Sequence, residues 1–187
     1  MTRALSLLTV CLLAGCSTGS VDQWARPSAT PVARLAVLPF DNQTSAVRAG
    51  SIVADVLASA LVAAGGLPVA DPGEVADLLR RENLDPIDVA RWPAPVRLGR
   101  LLQASHVLQG AVTEYRYKPG LSETPVVGVT ARLVEVASGE IVWTATHARS
   151  GSTWFREDGL ARVVQDVARD MAAHLTTSLR GARAAGR

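Results

Sequence analysis

The apolar positions of this chain recur at helical spacing early and late and at two-residue spacing between, and the change of period divides the chain into elements. Leu35-Ala-Val-Leu38, closed by Pro39, predicts a short buried strand, and the polar stretch from Phe40 to Ala46 predicts a loop. Ile52, Val53, Val56, Leu57, Ala60 and Leu61 share one helical face, which predicts a helix over 49–64 that Gly65-Gly66 stops. Leu67 to Ala70 predicts a second short strand. Asp71 can then cap a helix with Pro72 at its first position and Glu74 where a capping-box carboxylate belongs, and that helix should run to about Asn83. Pro86, Pro93 and Pro95 interrupt the next stretch, after which residues 96–103 can form a short helix.

From His106 the period becomes two. Three runs, 106–117, 126–136 and 140–149, are rich in Val, Thr, Tyr and Trp, with turn residues at Lys118-Pro119-Gly120 and Ala137-Ser138-Gly139. In the middle run Val127, Val129, Ala131 and Leu133 alternate with Gly128, Thr130, Arg132 and Val134, so one face is buried and the other at most partly so. Leu160, Val163, Val164, Val167, Met171 and Leu175 form the stripe of a last helix over 158–179. The fold class expected is α/β (α+β): a mixed sheet that includes a three-strand antiparallel meander (106–149), with helices packed on it.

The amino terminus follows another logic. After Arg3, the apolar run from Ala4 to Leu13 is too short to span a bilayer, which takes about 20 residues, and it ends in Leu13-Ala14-Gly15-Cys16. That anatomy is a secretory signal, and its last four residues resemble the lipobox of bacterial lipoproteins, where cleavage before the cysteine is coupled to its acylation. The expected organisation is a signal peptide over 1–15, a lipidated tether over 16–33, one globular domain over 34–179 and a disordered basic tail over 180–187. The tether, rich in Ser, Thr, Pro and Ala, would reach roughly 55 to 60 Å when extended. Ser17 after the cysteine points to the outer membrane, because aspartate there favours retention at the inner one. An ordinary signal with a free Cys16 is the plain alternative.

Composition narrows the chemistry. Cys11 leaves with the signal and Cys16 carries lipid, so no thiol remains for a disulfide, a thiolate metal site or a nucleophile. The formal net charge of +2 leaves no nucleic-acid footprint, and Lys118 is the sole lysine. There is no G-x-S-x-G elbow, phosphate-binding loop or H-E-x-x-H pair. His106, His147 and His174 are scattered, although the first two could meet across a sheet. Glu157-Asp158 is better explained by capping of the last helix than by acid and base work. Ser150-Gly151-Ser152-Thr153 has the composition of an anion loop and equally of a strand-to-helix connection. Arg132 and Arg149 on strands could take anionic groups, or pair with Glu135 or Glu140. No catalytic residue, metal or cofactor is therefore expected beyond the covalent lipid on Cys16.

The segment from Gly110 to about Leu175, with Leu35-Ala-Val-Leu-Pro-Phe-Asp-Asn42 and the Ala-Gly-x-x-x-Ala-Asp pattern from Ala49 to Asp55, resembles the outer-membrane lipoproteins related to CsgG, LpoB and the TolB amino-terminal domain. Within that group Tyr115-Arg-Tyr-Lys118, Pro125-Val-Val-Gly128, Ser138-Gly139 and Ser150-Gly151 are most similar to the PelC-like lipoproteins of polysaccharide export. The resemblance implies a non-catalytic homo-oligomer, a ring beneath the outer membrane that guides a secreted polysaccharide to an export porin. It assigns membrane contact to Trp154, with Phe155 extending the patch, although Trp154 could instead staple the last helix to the sheet.

In such a ring, exposed carboxylates at loops and strand ends would repeat around the pore and steer a cationic polymer, with Asp41, Glu114 and Glu123 the candidates. The alternatives are an LpoB-like regulator of a peptidoglycan synthase, which would favour a longer tether, and a CsgG-related secretion accessory. A CsgG-type barrel is disfavoured, because no inserted pair of long lipid-facing strands is present.

Overall fold

The computed structural model describes residues 19–26, 28, 30–85, 89, 94–120, 123–151 and 159–185. Six strands form one mixed sheet: β1 (Gly19–Ala25), β2 (Leu35–Val37), β3 (Asp41–Asn42), β4 (His106–Lys118), β5 (Thr124–Glu135) and β6 (Ile141–Ser150). The helices are α1 (Ala49–Ala64), α2 (Pro72–Arg81), α3 (Ala94–Leu101) and α4 (Leu160–Ala185). Across the sheet the order is β1-β6-β5-β4-β2, with β3 also beside β4. β2 and β3 run parallel to β4, and every other pair is antiparallel.

The predicted meander is β4, β5 and β6, and its alternation decides which side is buried. Val127, Val129, Ala131 and Leu133 of β5, with Leu108 and Val112 of β4 and Trp143 and Ala145 of β6, pack beneath α1 and α4. Trp143 is fully buried there. On the opposite face a second core gathers Leu38 and Val107 of the sheet edge with Leu78 and Leu79 of α2 and Leu98 of α3. That second layer covers only the β2–β4 side. Thr130 and Arg132 of β5 and Thr144 of β6 point to the same face and remain part-exposed.

Phe40 is held between two glycines. A Cβ on Gly50 of α1 would lie 2.0 Å from the Phe40 carbonyl oxygen. A Cβ on Gly110 of β4 would lie 2.1 Å from the Thr130 carbonyl oxygen and 2.7 Å from the Phe40 ring. The Ala-Gly-x-x-x-Ala-Asp pattern thus has a packing reason: Gly50 lets α1 touch the chain at Phe40, while Ala49 and Ala54 are buried beside it.

Five expectations are corrected. Residues 19–25, expected to belong to a loose tether, form the edge strand β1, whose register runs from Gly19 opposite Arg149 to Ala25 opposite Trp143. The segment after it is tied down as well: Arg26 pairs with Glu140, Ser28 and the Thr30 amide bond to Glu135, and the Arg26 amide donates to the Val142 carbonyl at 3.0 Å. The tail, expected to be disordered from residue 180, continues α4 to Ala185, as alanine and arginine favour. Residues 67–70 make a single bridge, Val69 to Leu35, in place of a strand, and the 40–46 loop contains β3. Asp71 caps α2 through the Gly73 amide at 2.7 Å as expected, but Glu74 turns to Arg34 and not back to the cap. No helix among the described residues is long and apolar enough to cross a membrane.

Candidate functional site

The open half of the second sheet face carries polar side chains in two rows across the strands. Register places Asp41 of β3 opposite Ala111, Ala111 opposite Thr130, Thr130 opposite Thr146 and Thr146 opposite Asp22. The adjoining row runs Gln109, Arg132, Thr144 and Trp24. Between them lies a groove of about 690 Å³ lined by Trp24, Asp41, Gln43, Thr130, Arg132 and Thr144 among others. The Trp24 side chain is 50% exposed. Thr130 and Thr146 share a hydroxyl hydrogen bond of 3.2 Å, and Gln43 donates to Asp41 at 3.1 Å. Arg132 does not pair with Glu135 or Glu140. Its guanidinium Nε donates at 2.8 Å to the amide oxygen of Gln109, with that amide oriented to suit. Gln109 is only 1% exposed, so Arg132 is held from beneath by a fixed group.

The three candidate carboxylates are not gathered into one cluster. Asp41 stands opposite Ala111, Glu114 opposite Gly128 beyond a bulge, and Glu123 just before Thr124, which faces Lys118. From Ala111 to Lys118 that is roughly 23 Å along β4. Glu114 lies between Arg116 at 3.6 Å and Lys118 at 3.9 Å, so its charge is partly countered locally. Glu123 is exposed, and among the described residues neither it nor Asp41 has an ion-pair partner. Cys16, Trp154 and Phe155 lie outside the described residues, as do Glu157-Asp158 and Ser152-Thr153.

The histidines are placed in two separate sites. His106 does not meet His147. Instead its Nε2 lies 3.0 Å from Ser28 Oγ and its Nδ1 3.1 Å from Ser105 Oγ, while Ser28 donates to Glu135 Oε1 at 2.8 Å. A serine, a histidine and a carboxylate in contact invite comparison with a catalytic triad. Here the Ser28 hydroxyl faces the carboxylate and, also at 2.8 Å, the Thr30 carbonyl as acceptors, and the carboxylate does not orient the far imidazole nitrogen, so the histidine is not set up to activate Ser28. His106 is fully buried and Glu135 is 2% exposed. Glu135 also accepts the Thr30 amide at 2.8 Å and the Ser138 hydroxyl at 2.6 Å. The Ser138 hydroxyl foremost, with Thr30 and Ser28, draws its pKa down to about 2. The cluster joins residues from distant parts of the chain, and nothing in the local pattern of any of them announces it.

His147 Nε2 lies 3.3 Å from His174 Nδ1 of α4, with ring centroids 5.0 Å apart. One nitrogen must donate and the other accept, so the contact tolerates at most one added proton. Burial, and then His174, hold His147 below its ordinary 6.5, against the opposing pull of Asp170. Asp170 itself takes Arg149 at 3.0 Å, again in place of Glu140. The unfolded chain therefore protonates His147 before the folded one does, and stability that is complete above about pH 6.5 is lost as pH falls below it. His106, lowered chiefly by burial, acts in the same direction. Urea midpoints are expected to drop between about pH 7.5 and about pH 5.5. His147→Gln should reduce that drop without abolishing it, and an unchanged drop would count against the pair.

Among the described residues no three of His, Cys, Asp and Glu come together as metal ligands. Asp55, which ends the Ala-Gly-x-x-x-Ala-Asp pattern, sits in the cleft between α1 and α2, where burial raises its pKa against the lowering effect of Arg48.

No protein-family model and no curated protein matches the chain. Solved structures do. The PelC dodecamer of Paraburkholderia phytofirmans is 29% identical, with a TM-score of 0.61 over 81% of this chain and 93% of that one. A leucine-to-methionine variant of the same PelC, also a dodecamer, is 30% identical, with a TM-score of 0.61 over 81% and 94%. Lipoprotein GNA1162 from Neisseria meningitidis shares the fold at 22% identity, with a TM-score of 0.60 over 75% and 98%. The identity to PelC, sustained over nearly all of that chain and over the sheet and helices described above, shows that this protein belongs to the PelC family.

Proposed function

We propose that this chain is a non-catalytic, lipid-anchored subunit of exopolysaccharide export, assembled as a ring of like copies on the periplasmic face of the outer membrane and passing polymer to an export porin. The observation that carries this reading is the match to PelC, which is dodecameric, over 81% of this chain and more than nine-tenths of that one.

The fold supplies a geometry for the anchor. With β1 beginning at Gly19, only Ser17 and Thr18 separate the strand from Cys16, a leash of at most about 10 Å in place of the long tether. Gly19 lies opposite Arg149, one residue before the end of β6. The lipid on Cys16 and the connection holding Trp154 and Phe155, which leaves from Gly151 and rejoins at Gly159, therefore depart from one end of the sheet. The β4–β5 turn, with Lys118 beside it, is at that end too. A short leash and an aromatic loop on one side would hold each subunit upright on the lipid. Asp41 and Glu123, repeated around the ring, would give the polymer path its negative field.

The test is sedimentation and negative-stain imaging of the full acylated chain in lipid nanodiscs. A closed multi-subunit ring is expected, and a monomer at high concentration would overturn the reading. Cys16→Ser should release the chain from the membrane fraction and abolish polymer export.

A further inference from the structure

We propose that the open sheet face between Trp24 and Asp41 is a saccharide-binding groove, in which a glycan chain lies across the strands with one ring stacked on Trp24 and its hydroxyls bonded to Arg132, Asp41 and the threonines. The proposal rests on the export reading only for the supply of glycan to this compartment.

Three features of the face point to that ligand. Its volume, about 690 Å³, is that of a small-molecule site. Its length, four strand spacings from Asp41 on β3 to Trp24 on β1, is roughly 19 Å, which suits a short oligosaccharide. Its chemistry is mixed. Asp41 and Arg132 have no ion-pair partner among the described residues and each keeps hydrogen-bonding capacity beyond its one contact, to Gln43 and to Gln109, so acceptors and donors stand together in one groove, and hydroxyls can meet both.

Arg132 is fixed by the buried Gln109, and Thr130 and Thr146 are fixed by each other, so these partners are positioned before a ligand arrives. At the end of the Arg132 row stands Trp24, half-exposed on the edge strand, an apolar plane with open access. A second copy of the chain is the rival occupant. The centre of a protein interface, however, is apolar and depleted of charge, whereas Trp24 and Ile141 are the only large exposed apolar side chains among the described residues lining this face.

The experiment is calorimetric titration of the full chain in nanodiscs with three tetrasaccharides: a neutral β-1,4-glucan, its N-acetylated amino-sugar counterpart and the de-N-acetylated form. At least one is expected to bind in the millimolar range or tighter. On that ligand Trp24→Ala and Arg132→Gln should each weaken binding about tenfold, while Trp24→Phe, which keeps a ring, should stay within about threefold. Val62→Ser on the exposed side of α1 should change nothing.

The proposal falls if none of the three binds at millimolar concentration, if Trp24→Ala binds like the parent chain, or if Trp24→Ala dissolves the assembly, which would place a second copy on this face. Should Trp24→Ala fail to fold, Arg132→Gln and Trp24→Phe carry the same test, and full retention of binding in Arg132→Gln overturns the proposal. A ring that forms but binds no saccharide removes the groove alone. Saccharide binding through Trp24 by a monomer removes the ring and leaves the groove.

Discussion

Gly50→Ala is expected to cost about 3 kcal/mol or more, and Gly110→Ala a similar amount, a large share of the roughly 5 to 15 kcal/mol that holds an ordinary domain folded. At both positions the new methyl group meets backbone, at 2.0 Å in the first case and 2.1 Å in the second, and backbone in a helix–sheet contact cannot step aside as a side-chain end can. Relief at Gly50 would require α1 to move off the chain at Phe40, breaking the hydrogen bond that the Phe40 N–H donates to the Gly50 carbonyl and opening the core beneath Val53 and Leu57. At Gly110 the Phe40 ring would also be displaced, so the two substitutions act on one contact. Their combined effect should be smaller than the sum of the two. Gly181→Ala in α4 is the control. A Cβ there meets nothing within 4 Å, and the helix should gain about 0.5 to 1 kcal/mol. Urea unfolding followed by far-ultraviolet circular dichroism separates the three. A Gly50→Ala protein as stable as its parent would mean that α1 sits farther from Phe40 than described.

Glu135→Ala is expected to destabilise the protein by about 2 to 4 kcal/mol, because it strands the Ser138 hydroxyl, leaves the Thr30 amide only its longer bond to Ser28, and takes one of two acceptors from the Ser28 hydroxyl. The loss should be local at first: residues 26–33 would become open to proteolysis before the sheet unfolds. The same residue governs acid stability. Its carboxyl titrates near 4.5 when unfolded and is drawn down to about 2 when folded, so the unfolded state binds the proton first. The stability it contributes is whole above about pH 4.5 and disappears as pH falls toward 2. Glu135→Gln, nearly equal in size, should lose stability at neutral pH and show a flatter decline across that acid range. An unchanged acid decline would place the responsible carboxylate elsewhere.

The meander is legible because three independent signals agree: a two-residue period, β-branched composition and turn residues at Lys118-Pro119-Gly120 and Ala137-Ser138-Gly139. The last turn of α1 and the start of α2 are readable for a similar reason, since Gly65-Gly66 and Asp71-Pro72 state backbone requirements directly. β1 is not. Val21 through Ala25 are all exposed, so an edge strand that pairs only through its backbone leaves no burial pattern to read. Trp24 consequently reads as a tether aromatic, and its place beside Arg132 emerges only once β6 supplies the register.

The polar clusters are hidden for a different reason. His106, Glu135 and Ser28 are ordinary in their own segments and become a site only by tertiary approach. Of the three candidate carboxylates, Asp41 lies on the open face as a loop position suggests, but the countercharges beside Glu114 come from its own strand and depend on side-chain direction.

The pairing of β1 with β6 also sets an order of events in time. The first strand of the domain waits for the last, since Trp24 has no partner until Thr144 has been made. On the export reading the domain folds only after crossing the inner membrane, so the wait lasts as long as those intervening residues take to emerge there. Throughout that interval the segment around Cys16 is free of the sheet, and once β1 docks it is confined to within about 10 Å of folded protein. A modifying enzyme that must enclose Cys16 would thus meet an open chain early and a crowded one late, so the acylation proposed for this residue would compete against the domain's own completion.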